Sequence, residues 1–153
     1  SGREELAEIL NRTTTGRPVE LTKVMDGPTI LEAQNLVRQA AIAPHVTDYA
    51  IRLVLATHPQ GEYAIPETNR FVRWGASPRA AQTLVLAGKV RALRDGRYHV
   101  SFADIAAIYL PALRHRVLLN FEGEAEGMTT DDVLKKILEQ VPTQAETTAK
   151  VRS

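Results

Sequence analysis

The chain contains no cysteine. Disulfides, thiolate nucleophiles and cysteine-based zinc sites are therefore excluded. Aromatic residues are scarce, at 5% of the sequence. Alanine and leucine are plentiful, which favours helix over strand. No apolar run approaches the ~20 residues that cross a bilayer. No secretory signal opens the sequence, so a cytoplasmic location is the expectation. Ser1-Gly2 reads as a cloning remnant on an excised fragment. Neither sign of charge dominates: 19 Lys and Arg stand against 18 Asp and Glu, a net charge of +1. No global pull toward nucleic acid or a membrane surface follows from that balance.

Common catalytic constellations are missing too. His45, His58, His99 and His115 are scattered, and none has a second ligand at i+3 or i+4 to make a metal pair. Gly88-Lys89 resembles the end of a phosphate loop. Such a loop needs Gly at position 83 and Ser or Thr at position 90, where this chain has Thr83 and Val90. No nucleophile has an attendant base, so no catalysis is expected of this chain alone.

What is present is a series of amphipathic segments. At 153 residues the chain suits one small domain with extensions. Leu6, Ile9 and Leu10 share a face of a short helix over 3–12. Residues 13–18 break it with Gly16 and Pro18. Pro28 and Thr29 open a second helix, with Thr29 and Glu32 at capping-box spacing. Pro44 ends that helix, and Thr47 or Asp48 caps the next. Val46, Tyr49, Ala50 and Leu53 form its apolar stripe. Residues 59–74 read as a long connection, and connections longer than about 12 residues are often functional.

A helix over 78–93 follows, apolar around so much of its circumference that burial is expected. Gly88 inside it implies close packing, since glycine costs about 1 kcal/mol of helix propensity. Residues 94–97 make a turn and 98–100 an extended segment. Ser101 starts a further helix that Pro111 kinks or restarts and that runs on to Leu119. Residues 121–128 read as an acidic loop, able to pair with the Arg114-His115-Arg116 cluster. Thr129 or Thr130 caps a last helix, with Val133, Ile137 and Val141 inward. From Pro142 the tail is polar and frayed. The fold class is all-α, a small helical bundle with minimal or no β-structure.

One stretch carries chemistry: Gly75-Ala76-Ser77-Pro78-Arg79-Ala80. Ser77 suits the N-cap and Pro78 suits N1. Arg79 then lies in the first turn, where the helix dipole disfavours a cation by roughly 0.3–1 kcal/mol. A phosphate opposite Arg79 would offset that. The plain alternative is a solvated arginine at an ordinary helix start.

These residues also carry a family resemblance. GASPRA at 75–80, QTLVLAGKVRAL at 82–93, DGRYHVSFADI at 95–105 and LPALRHRVLLNFEGEAEG at 110–127 resemble the C-terminal helical lid of MoxR-type AAA+ ATPases. The lids of the related magnesium-chelatase ATPase subunits are similar. The resemblance covers roughly residues 20–140. It implies that GASPRA is the sensor 2 motif and that Arg79 contacts the γ-phosphate of ATP. Ser77 and Pro78 would set the helix start, and Gly75 would let the backbone turn into it. Arg114 and Arg116 receive no firm catalytic role and stay structural or interface candidates.

The resemblance further implies a domain plan. Residues 1–18 end the ATPase core and form a linker helix and hinge, 19–141 form the lid, and 142–153 form a polar tail. It implies a parent that hydrolyses ATP as a hexamer, remodels or matures a partner complex, and works beside a von Willebrand factor A domain protein. Mg2+ would belong to a core carrying Walker A and B, which this sequence lacks. The rival reading is a non-enzymatic helical binding module. Helix 78–93, turn 94–97 and helix 101–110 imitate a helix-turn-helix, although their basic residues are not gathered on one helix.

Overall fold

The computed structural model describes residues 2–16 and 21–144. It divides into two units, Ser1–Ala33 and Gln34–Ser153. In the first, α1 (Arg3–Thr14) has Glu4 and Glu5 in its first turn and Arg12 in its last, charges that suit the dipole. Gly16 follows at φ 69°, a left-handed stop that favours glycine. The helix lies where Leu6, Ile9 and Leu10 predict it but buries none of its residues. Arg17 and Pro18 of the expected hinge lie outside the described residues.

Helix α2 (Gly27–Gln39) starts in the first unit and ends in the second. Its cap is Asp26 rather than Thr29. The Asp26 carboxylate accepts from the Thr29 amide at 2.9 Å and from the Thr29 hydroxyl at 2.6 Å. A carboxylate is a strong cap, so it displaces the capping box expected from Thr29 and Glu32.

In the second unit, β1 (Ala41–Ile42) precedes α3 (Pro44–Leu55). Pro44 opens α3 at N1 instead of closing α2, because its missing N–H costs nothing there. The expected caps Thr47 and Asp48 therefore lie inside the helix. Val46, Tyr49, Ala50 and Leu53 are all buried, as their spacing predicts.

Residues 59–74 are not a structureless connection. They hold α4 (Pro66–Phe71) and β2 (Val72–Trp74). Pro66 again stands at N1, and Ile65, Thr68, Phe71 and Val72 are buried. Two prolines suggested a loop, yet one of them starts a helix.

Helix α5 (Pro78–Arg94) matches its expected span. It buries Ala80, Leu84, Gly88 and Ala92, while Leu86 and Val90 are each 50% exposed. The expectation of a helix buried all round is thus corrected to one buried face. Gly88 is a close-packing point: a Cβ there would stand 3.0 Å from Val100 Cγ1 and 3.1 Å from Ile105 Cδ1. Gly96, at φ 72°, makes the turn into β3 (His99–Val100), which pairs in parallel with β1.

Helix α6 (Phe102–Leu113) is capped by Ser101 and Asp104 and contains Pro111 without interruption. It ends at Leu113, so the helix expected through Leu119 gives way to a turn and β4 (Leu118–Leu119). Strand β4 runs antiparallel to β2. The anticipated acidic loop begins with α7 (Phe121–Ala125), whose amide at Gly123 donates to the Asn120 side chain at 2.9 Å. Helix α8 (Thr130–Gln140) is capped by Thr129 and turns Val133 and Ile137 inward, and Val141 at its C-terminal cap is buried too.

The described residues thus form eight helices and four strands of two or three residues each. The all-α class stands. Leu53, Leu84, Ile105, Tyr109, Leu113, Leu134 and Ile137 are buried below 2% exposure and centre one apolar core. Helices α5 and α6 pack together most extensively.

Candidate functional site

The segment that leads into α5 is built on the end of α3. A helix leaves its last carbonyls without intrahelical partners, and here side chains supply several. The Tyr109 hydroxyl donates to the Leu53 carbonyl at 3.2 Å. The Thr57 hydroxyl donates to the Val54 carbonyl at 2.6 Å, and the Thr68 hydroxyl to the Ala56 carbonyl at 2.8 Å. Burial holds the Tyr109 phenol well above its ordinary pKa, so it remains a donor. Thr57 and Thr68 are fully buried. Threonine is common at helix ends, and nothing in its sequence position marked these two. Sequence reasoning passed over Thr57 and Thr68 entirely.

Residues 75–76 dock onto this helix end. The Ala76 amide donates to the Thr57 hydroxyl at 2.9 Å. The Ala76 carbonyl lies 2.9 Å from His58 Nε2, which must carry the proton because a carbonyl can only accept. Gly75 has no positive φ, so no left-handed conformation requires glycine there. A Cβ at Gly75 would stand 2.7 Å from the Thr57 carbonyl oxygen and 2.8 Å from His58 Cγ. Glycine is needed there because two backbones approach closely.

Ser77 and Pro78 occupy N-cap and N1 of α5 as expected, but the Ser77 hydroxyl makes no capping bond. The Ala80 amide instead donates to the Ser77 carbonyl at 2.8 Å. Arg79 is exposed at the second helical position. Its guanidinium makes no ion pair or hydrogen bond among the described residues. Its carbonyl accepts from the Thr83 hydroxyl at 2.8 Å. The structure thus brings Gly75, Ser77, Pro78 and Arg79 together at one helix start, with Ser77, Pro78 and Arg79 exposed to solvent.

The remaining cations are mostly engaged. Arg97 grips the buried Asp104 through two bonds of 2.7 and 2.8 Å. Arg91 approaches the same carboxylate at 3.4 Å. The Arg97 guanidinium, followed by Ser101, holds the Asp104 carboxyl well below the usual carboxylate range. Arg94 lies 3.7 Å from Asp95. The arginines of the α5–α6 turn are therefore turned toward acids of their own chain.

Arg114 pairs with Asp131 at 2.9 Å, and Arg116 donates to the Ala112 carbonyl. The acidic segment does not meet this cluster, contrary to expectation. Glu122 and Glu126 bind Arg70 instead, because β4 pairs with β2 and carries α7 to the end of α4.

The histidines are dispersed. His45 packs at a tilt against Phe102 with ring centroids 5.4 Å apart, while His99 and His115 are exposed. Among the described residues no group of three His, Asp or Glu side chains is placed to hold a metal ion.

The expected frayed tail is tethered where it begins. The buried Arg52 donates to the Pro142 carbonyl at 2.6 Å and the Thr143 carbonyl at 3.1 Å, while also binding Asp48. The neighbouring cavity, lined by Pro44, His45, Asp48, Thr143 and Gln144, includes none of residues 75–79. Residues 145–153 of the tail lie outside the described residues.

Comparison with known proteins gives this geometry a context. Residues 67–137 match the family model described as AAA lid domain. The chain is 27% identical to Chaperone MoxR1 of Mycobacterium tuberculosis over 138 residues, 90% of this chain and 36% of that protein. It is 36% identical to Protein MoxR of Methylorubrum extorquens over 75 residues, 48% of this chain and 22% of that protein. A crystal structure of a presumed ATPase from Cytophaga hutchinsonii superimposes with a TM-score of 0.77 and 30% identity. That match covers 92% of this chain and 43% of the other. The chain therefore spans much less than half the length of the curated relatives that it matches.

Proposed function

We propose, from the premise that this chain is a lid fragment of the MoxR family of AAA+ proteins, that Arg79 senses bound ATP. The observation that carries this reading is an exposed arginine, without a partner among the described residues, at the start of a 17-residue helix. Its segment is anchored to the core by both backbone groups of Ala76. A guanidinium aimed at a phosphoryl oxygen stabilises charge that develops during transfer. Ser77 and Pro78 fix the helix start from which Arg79 projects, and Gly75 lets the segment lie against α3.

These residues fit one phosphate contact and no more. The chain has no phosphate loop, and its described carboxylates form no metal cluster. Mg2+ and the remaining ATP contacts belong to an α/β core outside this sequence.

In this reading residues 1–18 leave the core and supply the hinge, and 19–141 form the lid. The lid moves on its hinge with nucleotide state, a gating motion. It would couple hydrolysis to assembly of a cytoplasmic hexameric ring and to chaperone-like remodelling of a partner complex, with a von Willebrand factor A domain protein as the proposed companion.

The test is Arg79→Ala in the longer ATPase that carries this lid, with the melting temperature of the 153-residue chain as control. Turnover should fall by about 10²-fold or more, in the range seen for removed transition-state donors. The melting temperature should not move, because Arg79 is exposed and has no partner among the described residues. Normal turnover would reduce Arg79 to a surface arginine.

A further inference from the structure

We infer that Thr57 and His58 are positioning residues for Arg79, which deepens the phosphate-sensing reading and rests on it. Thr57 is the buried hinge pin of this arrangement. Its single hydroxyl donates to the Val54 carbonyl and accepts from the Ala76 amide. His58 Nε2 donates to the carbonyl of the same Ala76. Both backbone groups of one residue are thus held by consecutive residues at the end of α3.

Two bonds to one residue fix its rotation as well as its place. Gly75 adds a steric limit, since a side chain there would collide with the Thr57 carbonyl. Ala76 itself is fully buried. The helix that carries Arg79 starts at Pro78, so the direction of its first turn follows from how residue 76 is held. The same end of α3 is in turn braced by Thr68 from α4 and Tyr109 from α6. Neither Thr57 nor His58 would touch nucleotide. Each acts only through the placement of Arg79. Misplacing a catalytic contact by about 1 Å can cost 10²-fold in rate, so loosening this grip should be visible in turnover.

The experiment has two arms. In the 153-residue chain, hydrogen exchange at the Ala76 amide is compared in Thr57→Val, Thr57→Ser and His58→Leu. Emission of Trp74, the single tryptophan and 62% exposed, reports the same segment. Protection should be lost in Thr57→Val and kept in Thr57→Ser. In the longer ATPase, kcat and KM for ATP are measured for these variants, for Arg79→Ala, and for Thr57→Val combined with Arg79→Ala.

Thr57→Val and His58→Leu should lower kcat by about tenfold or more, Thr57→Ser should restore it, and the combined variant should be no slower than Arg79→Ala alone. Where Thr57→Val fails to fold, the half-buried His58→Leu carries the same test. Losses that multiply in the combined variant would overturn the proposal. So would normal turnover in Thr57→Val and His58→Leu beside a slow Arg79→Ala. If Arg79→Ala is itself harmless, the sensing reading fails and the proposal with it, and lost Ala76 protection in Thr57→Val would place that failure at Arg79 rather than at the grip.

Discussion

At the scale of single residues, two glycines show how neighbours decide what a position tolerates. An added Cβ at Gly75 meets the Thr57 carbonyl oxygen at 2.7 Å, and that oxygen belongs to a helix end held on several sides. An added Cβ at Gly88 meets the methyl ends of Val100 and Ile105 at 3.0 and 3.1 Å. Methyl ends can shift by tenths of an ångström, and alanine regains about 1 kcal/mol of helix propensity. Gly75→Ala should therefore destabilise the fold by about 1–3 kcal/mol, the usual range for overpacking. Gly88→Ala should stay within about 1 kcal/mol of the parent chain. Urea unfolding of the two variants checks the contrast, and equal losses would show that Gly75 is not tightly opposed.

At the scale of elements, the α5–α6 turn is held by a buried carboxylate. Asp104 accepts from Arg97, from the Ser101 amide and from the Ser101 hydroxyl. Its folded pKa is depressed, first by the Arg97 hydrogen bonds. The linkage then has a definite sign. The stabilisation is fully present above the unfolded carboxyl pKa of about 3.9 and is lost as pH falls below it toward the folded value. Asp26, Glu67 and Asp132 are shifted in the same direction.

The melting temperature should thus be steady near neutrality and fall below about pH 4. Asp104→Asn should flatten part of that acid loss. At pH 7 it should destabilise by about 3 kcal/mol, the lower end for a broken buried pair because Arg97 is partly exposed. An unchanged acid profile in Asp104→Asn would assign the acid sensitivity to the other carboxylates.

The same turn bears on the molecule as a whole. A helix-turn-helix reading needs cations displayed on one face, and here Arg91, Arg94 and Arg97 lie against Asp95 and Asp104. With a net charge of +1, the chain should bind duplex DNA negligibly at ~0.15 M salt. Fluorescence anisotropy against labelled duplex, titrated with salt, checks this. Tight binding with a steep salt slope would favour the binding-module reading. The two units differ in character as well. Gln34–Ser153 contains a continuous apolar core, whereas α1 buries no residue.

Much of this was legible in the sequence because local signals agreed. Apolar spacing placed α3, α5 and α8, Ser101 announced its helix start, the last start was narrowed to Thr129 or Thr130, and GASPRA pointed to Arg79 through a family likeness. Punctuation misled where it has two meanings. Pro44 and Pro66 open helices at N1, although proline also closes them. The candidate site was proposed from its tip, and its support was illegible in the sequence. Thr57, His58 and Thr68 are ordinary residues in sequence, and their value lies in which carbonyl or amide the fold brings to them. Local periodicity determines which residues turn inward, since it depends only on the geometry of one helix. The meeting of Thr57 and His58 with Ala76, of Arg97 with Asp104 and of Arg70 with Glu122 and Glu126 was decided by tertiary packing, because each joins segments whose approach no local rule encodes.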